Sequence, residues 1–139
     1  MKILVTGGAG FIGSHVADRF VAAGHDVVIV DNLVTGSRNN LNPKARFVEL
    51  DIRDGAAIEK LFAQQRFDVV DHHAAQMDVR KSTEDPIYDA HVNILGSINL
   101  IESARRHGVK KFIYISTGGA VYGEPKQLPV TEEHPVNPE

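Results

Sequence analysis

The segment TGGAGFIGSH, residues 6–15, follows the apolar run Ile3-Leu4-Val5, and its glycines Gly7, Gly10 and Gly13 recur at every third position. A strand that turns sharply into a helix leaves the first helical amides pointing outward, where they and the helix dipole favour an anion. Side chains in such a turn would block the approach of a phosphate to the backbone, which is one reason for glycine there. Taken alone, the triplet is equally a tight strand-to-helix connection with nothing bound. Either way it commits the start of the chain to strand, turn and helix.

The rest of the pattern extends that unit. Strand 2–6 is followed by a predicted helix from about 11 to 23, with Ile12, Val16 and Phe20 four apart, Val21 beside them and Gly24 as cap. HDVVIVD reads as a second strand ending at Asp31, because Val27-Val28-Ile29-Val30 is too continuous for a sheet with one wet face. The polar stretch DNLVTGSRNNLNPKA is predicted as loop with at most a short helix. RFVELDI makes a third strand, and Asp54 caps a helix over 55–65 that turns Ala57, Ile58, Leu61 and Phe62 inward. FDVVDHHAA makes a fourth strand. Asp85-Pro86 starts a long helix that carries Ile87, Ala90, Ile94, Ile98 and Ile101 at three- and four-residue steps and closes at Gly108. KKFIYIS is a fifth strand, leading into a glycine turn and a proline-rich tail. Strands alternating with helices imply right-handed crossovers and a parallel sheet covered on both faces, an α/β fold of the doubly wound Rossmann type.

Asp31 gives the glycine turn a partner. It ends the second strand 18 residues after Gly13, close to the roughly 20-residue spacing at which an acid reaches the ribose hydroxyls of an adenine dinucleotide. A carboxylate there repels a 2′-phosphate and selects NAD over NADP, while Arg38, further along the polar loop, is left to solvent. The opening glycines are therefore read as a pyrophosphate site. Asp51 and Ile52 fall on the same carboxyl edge of the sheet, where the carboxylate could read an adenine amino group and Ile52 pack on the ring. Asp51 as a plain turn acid is the equal alternative.

Composition removes other classes of function. A chain of 139 residues that is 42% apolar is expected to form one core and one domain. It has no cysteine, which excludes disulfides and thiolate metal sites and fits a reducing compartment. A net charge of -3 gives no broad basic field for nucleic acid, and Arg105-Arg106 and Lys110-Lys111 read as solvated faces. No apolar run approaches the ~20 residues of a membrane span, and the N-terminus lacks a signal-peptide pattern. The expectation is a cytoplasmic protein with neither nucleic-acid nor membrane partner. His72-His73 is not expected to hold a metal, since neighbours on a strand face opposite ways.

Together TGGAGFIGSH, DNLVTG, ELDIRD, HHAAQMDVRKS, HVNILGSINLIESARRHGVKKFIYISTGGAVYGE and EEHPVNPE resemble the extended short-chain dehydrogenase/reductase family, in particular its NAD-dependent sugar-nucleotide epimerases and dehydratases. The likeness runs along the whole chain but covers only the front half of such an enzyme, so the sheet is expected to lack its last strands and the substrate domain. Carried over by position, it places Gly7, Gly10, Phe11, Ile12 and Gly13 around the pyrophosphate. Asp31, Asn32 and Leu33 would meet the adenosine ribose, with Gly36 and Ser37 nearby, and Asp51 and Ile52 would face adenine. His73, Ala74, Ala75 and Gln76 would line the middle of the dinucleotide, with Asn93 reaching toward that loop from the long helix.

The resemblance is nearest to members that invert C4 of UDP-glucose through a transient 4-keto intermediate, using a hydroxyl residue, a tyrosine and a lysine. The hydroxyl position falls on Gly118, a departure from the pattern. Thr117 beside it is the favoured substitute; a water could serve instead, or Ser116 and Thr117 could serve only the cofactor. Tyr122 is assigned to packing or a substrate edge. The family's Tyr-x-x-x-Lys normally follows a segment like EEHPVNPE, so neither member is assigned here and the chain is expected to be inactive alone. Nucleotide-sugar 4,6-dehydratases carry an acidic pair where this chain has Gly118-Gly119. UDP-glucuronate epimerases or decarboxylases, and a stand-alone NAD-binding module, remain as alternatives. The resemblance also implies a UDP-sugar substrate and a homodimer, for which the long helix beginning near Pro86 is the candidate surface.

Overall fold

Ile3, Leu4, Val5, Val27, Val28, Ile29 and Val30 are all buried, a result only a sheet covered on both faces allows. The computed structural model describes residues 1–137. Its five strands are β1 (Lys2–Thr6), β2 (Asp26–Asp31), β3 (Arg46–Glu49), β4 (Val69–His72) and β5 (Lys111–Tyr114), all parallel in the order β3-β2-β1-β4-β5. Side chains alternate between two cores. Leu4, Val28, Val30 and Val70 pack with Ile58, Phe62 and Leu100 on one face; Ile3, Val5, Ile29 and Val69 pack with Ala17 on the other. Chain order reverses between β1 and β4, and ligands of such sheets bind at that reversal, beyond the strands' carboxyl ends.

The first face is covered by α2 (Gly55–Gln64) and α5 (Ser97–Arg106), the second by α1 (Phe11–Ala22). Asp54 caps α2 by accepting the Ala57 amide at 3.0 Å, as its position foretells. Gly24 ends α1 with φ 79. Between β4 and β5 lie α3 (Val79–Glu84), a helix the apolar pattern does not signal, and α4 (Pro86–Ala90), capped by Asp85. A π turn over His91–Gly96 joins α4 to α5.

The long helix is therefore found where the sequence places it, but its regular isoleucines face outward: Ile87, Ile94 and Ile98 are 71%, 57% and 48% exposed. The face against the sheet is made of Val92, Gly96, Ser97, Leu100, Ser103 and Ala104. A Cβ at Gly96 would stand 2.7 Å from Ile52 Cγ1, so small residues set how closely the helix approaches. The glycine turn expected after β5 is instead a short helix, α6 (Gly118–Tyr122), ended by Gly123 at φ 62.

Candidate functional site

The glycine turn joins β1 to α1, and its three glycines have different reasons. Gly7 has φ 69, and a Cβ there would lie 2.6 Å from the Ala74 nitrogen. A Cβ at Gly13 would lie 2.3 Å from the Gly7 carbonyl oxygen. These two are required by the chain's own packing. Gly10 is different: its backbone is ordinary at φ -77, and the nearest atom to an added Cβ is 3.2 Å away. It is also the N-cap of α1 and has no side chain to bond the first-turn amides, which keep no intrahelical acceptor. The turn thus presents bare N–H groups and the positive end of a dipole to the cleft.

Asp31 closes against this turn. Its Oδ2 accepts the Ala9 amide at 3.0 Å and its Oδ1 the Leu33 amide at 2.8 Å, and the residue is only 8% exposed. Leu33 takes φ 60 as the chain bends around the carboxylate. Gly36 stands against Ala9 and Asp31, where a Cβ would come within 2.8 Å of the Ala9 methyl, and the Ser37 amide bonds the Ala9 carbonyl at 3.0 Å. Two of the carboxylate's roughly four acceptor positions stay open.

Asp51 is arranged otherwise. Arg53 grips it with Nε to Oδ1 at 3.0 Å and Nη2 to Oδ2 at 2.7 Å, the Arg53 amide adds a bond at 2.9 Å, and Asn32 Nδ2 donates at 3.0 Å. All four acceptor positions are occupied, so reading an adenine amino group would require one partner to leave. The Arg53 guanidinium in turn lies 5.0 Å from the Tyr88 ring centre. Arg53's side-chain bond, helped by Asn32, holds the Asp51 carboxyl at about 2, below its ordinary 3.8. A folded-state value below the unfolded one stabilises the fold above about pH 4, and that contribution is lost as pH falls through about 2. Urea midpoints taken from about pH 5 down to about pH 2.5 should drop more steeply for the parent than for Asp51→Asn; equal slopes would mean the pairing adds nothing.

Segment 73–76 forms the opposite wall. Asn93, in the π turn, holds it as a second backbone would: Oδ1 accepts the Gln76 amide at 2.8 Å while Nδ2 donates to the Gln76 carbonyl at 2.9 Å and to Asp89 at 2.8 Å. Its amide group is used up in bonds to the protein, so it shapes the wall from behind. His72 and His73 point to opposite faces, His72 toward Ser97 and His73 toward Asp71.

Between these walls lies a cleft of about 600 Å³. Gly7, Gly10, Phe11, Ile12, Gly13, Asp31, Asn32, Ile52, His73, Ala74, Ala75 and Gln76 all line it. Leu33, Gly36, Ser37, Asp51 and Asn93 are not among its lining residues. Ser116 and Thr117 are exposed and lie beyond Ile115, which does line it. The structure adds Thr35, Met77, Lys81 and Tyr88, of which Lys81 brings a cation to the rim. Sequence reading missed Lys81 because α3 has no apolar period to mark it as a helix. Tyr122 and Lys126 have the spacing of a Tyr-x-x-x-Lys pair, but Gly123 ends the helix between them, so they do not share a helix face. The Tyr122 ring instead packs edge-on against His134, 5.6 Å between centres.

Residues 3–139 match the NAD dependent epimerase/dehydratase family. A relative from Methanocaldococcus jannaschii is 54% identical over 136 residues, which is 98% of this chain and 44% of that protein. The crystal structure of UDP-glucose 4-epimerase from Thermotoga maritima with UDP-glucose superposes at a TM-score of 0.93 with 48% identity, covering 100% of this chain and 45% of that one. The Thermus thermophilus UDP-glucose 4-epimerase in complex with NAD gives 0.92 and 46%, covering 99% and 45%. The chain spans less than half the length of these relatives.

Proposed function

Since this chain belongs to the NAD dependent epimerase/dehydratase family, we propose that it is the NAD-binding N-terminal portion of a UDP-glucose 4-epimerase. The observation that carries the reading is the bond from the Ala9 amide to Asp31 Oδ2, which makes the glycine turn and the acid one unit on one edge of the cleft. The residues fit the cofactor: the uncapped start of α1 suits a pyrophosphate, and the open acceptor positions of Asp31 suit a ribose diol. When bound, NAD would supply the hydride acceptor for oxidation at the sugar C4. The chain's own residues bind and orient it, with Ile12, Ile52 and Ala74 excluding water from the cleft. Thr117 is the proposed hydroxyl partner of the sugar, at the start of α6.

Among the described residues no tyrosine and lysine share a helix face beside the cleft, so the activity proposed for these 139 residues alone is cofactor binding without turnover. Calorimetric titration with NAD and NADP is the test. Saturable binding of NAD in preference to NADP is expected; no heat with either would sink the reading. Interconversion of UDP-glucose and UDP-galactose by the 139-residue chain would overturn its inactivity while leaving the cofactor assignment intact.

The parent enzyme is proposed to be a homodimer through the outward stripe of Ile87, Ile94, Leu95, Ile98 and Ile101, all more than two-fifths exposed. A contiguous apolar helix face of this kind suits a self-complementary interface. Sedimentation should show a dimer that the pair Ile94→Glu and Ile98→Glu converts to monomer; a parent that is already monomeric would rule the surface out. No helix among the described residues is long and apolar enough to cross a membrane.

A further inference from the structure

His72 is 3% exposed at the end of β4, and both ring nitrogens are engaged. Nδ1 lies 2.6 Å from Thr6 Oγ1 on β1, and Nε2 lies 3.0 Å from Ser97 Oγ at the start of α5. The hydroxyls decide which nitrogen carries the proton. Ser97 donates its single proton to the Asn93 carbonyl at 2.7 Å, so the ring must donate its Nε2–H to Ser97 Oγ. Burial pushes the imidazole down to about 4, with His73 acting in the same sense and Asp71 against it, so the ring is neutral at pH 7 and Nδ1 is a bare acceptor. Thr6 must then donate to Nδ1, which leaves its oxygen to accept the Ala74 amide at 3.3 Å. The other groups facing the ring are Phe112 and Tyr114 of β5, edge-on at 6.0 and 5.4 Å between centres. A single direction of donation runs from the Ala74 amide through Thr6, His72 and Ser97 to the Asn93 carbonyl.

We propose that His72 is a positioning residue for the cleft: as the Nε2–H tautomer it aims the Thr6 hydroxyl and thereby holds the Ala74 amide, the part of the wall that Gly7 touches. With the other tautomer, Nδ1–H would donate to Thr6 Oγ1 and turn the Thr6 proton away from the ring, and Nε2 would compete for the Ser97 proton now given to Asn93. Thr6 Oγ1 would then divide its acceptor capacity between the ring and the Ala74 amide, whose 3.3 Å bond is the longer and the one to give way, while the His73 amide keeps its backbone bond to the Thr6 carbonyl at 3.0 Å. The role in ligand binding rests on the NAD reading, whereas the tautomer and the Ala74 tie are readable without a ligand.

Nitrogen-15 NMR of the imidazoles in the 139-residue chain should show His72 protonated at Nε2 alone, with no change from about pH 8 to about pH 5. Protonation at Nδ1 would overturn the proposal. In His72→Leu the Ala74 amide is expected to exchange about tenfold faster or more while β2 amides keep their protection. Thr6→Val, close in shape, should do the same and replaces it if His72→Leu fails to fold. Unchanged Ala74 exchange in a folded variant would also overturn the proposal. With NAD, His72→Leu should bind about tenfold more weakly and His72→Gln, which keeps a donor for Ser97, in between. Equal affinities would refute the positioning role. A parent that ignores NAD would instead refute the cofactor reading, and the tautomer and the exchange of Ala74 would still decide this one.

Discussion

Gly13→Ala is expected to lower folding stability by about 3 kcal/mol, whereas Gly10→Ala, three residues earlier in the same motif, should change it by less than about 1 kcal/mol. The difference follows from what each added methyl would meet. At Gly13 it would stand 2.3 Å from the Gly7 carbonyl oxygen and 3.0 Å from the Gly8 Cα, all backbone, so α1 would have to lift from the end of β1. Alanine's better helix propensity recovers about 1 kcal/mol of that loss at most. At Gly10 the only close atom is the Gly7 oxygen at 3.2 Å, and φ is already one that alanine adopts. The methyl there would instead stand in front of the amides offered to a pyrophosphate, and NAD affinity should fall more than tenfold. Urea unfolding and NAD titration of the two variants separate the roles. A Gly13→Ala chain as stable as the parent would contradict the packing described, and full NAD affinity in Gly10→Ala would remove the phosphate from the turn.

Asp31→Asn is expected to weaken NAD binding about a hundredfold, some 2.7 kcal/mol, and to narrow the preference over NADP. The carboxylate would accept two ribose hydroxyls with the positions that Ala9 and Leu33 leave open, and bonds to a charged acceptor are the stronger kind. Asparagine keeps one acceptor oxygen, turns an NH₂ toward an amide that needs an acceptor, and removes the charge that repels a 2′-phosphate. Some folding stability is lost with it, so affinity is to be measured below the unfolding transition. An unaltered NAD to NADP ratio would take the ribose away from Asp31. The corresponding change at Asp51 should leave the ratio alone, because Arg53 and Asn32 already occupy its oxygens.

The strands and α1 were legible because their apolar runs and glycines have one reading: Val27-Val28-Ile29-Val30 suits little but a covered strand, and Asp31 follows it directly. The cleft's two main walls were legible for the same reason, since each sits at a strand end. What escaped were features that depend on small or polar residues. The inward face of α5 is built from Ser97, Leu100, Ser103 and Ala104, which a hydrophobic pattern passes over in favour of the isoleucines outside. The grip of Arg53 on Asp51 is a two-residue turn with no periodic signature. Lys81 depends on the placement of α3, which only the tertiary structure supplies.

The π turn has a consequence for the long helix as a rotor. Tyr88 and Ala104 are sixteen residues apart, and at about 100° per residue an unbroken α-helix would set them about 160° from one another. Both pack on the same core. A π turn takes up one residue without advancing the helix around its axis, leaving about 60° between them. One surplus residue in His91–Gly96 is thus a phase correction that keeps two successive helices aimed at the same sheet, and it falls on the turn from which Asn93 reaches the cleft wall.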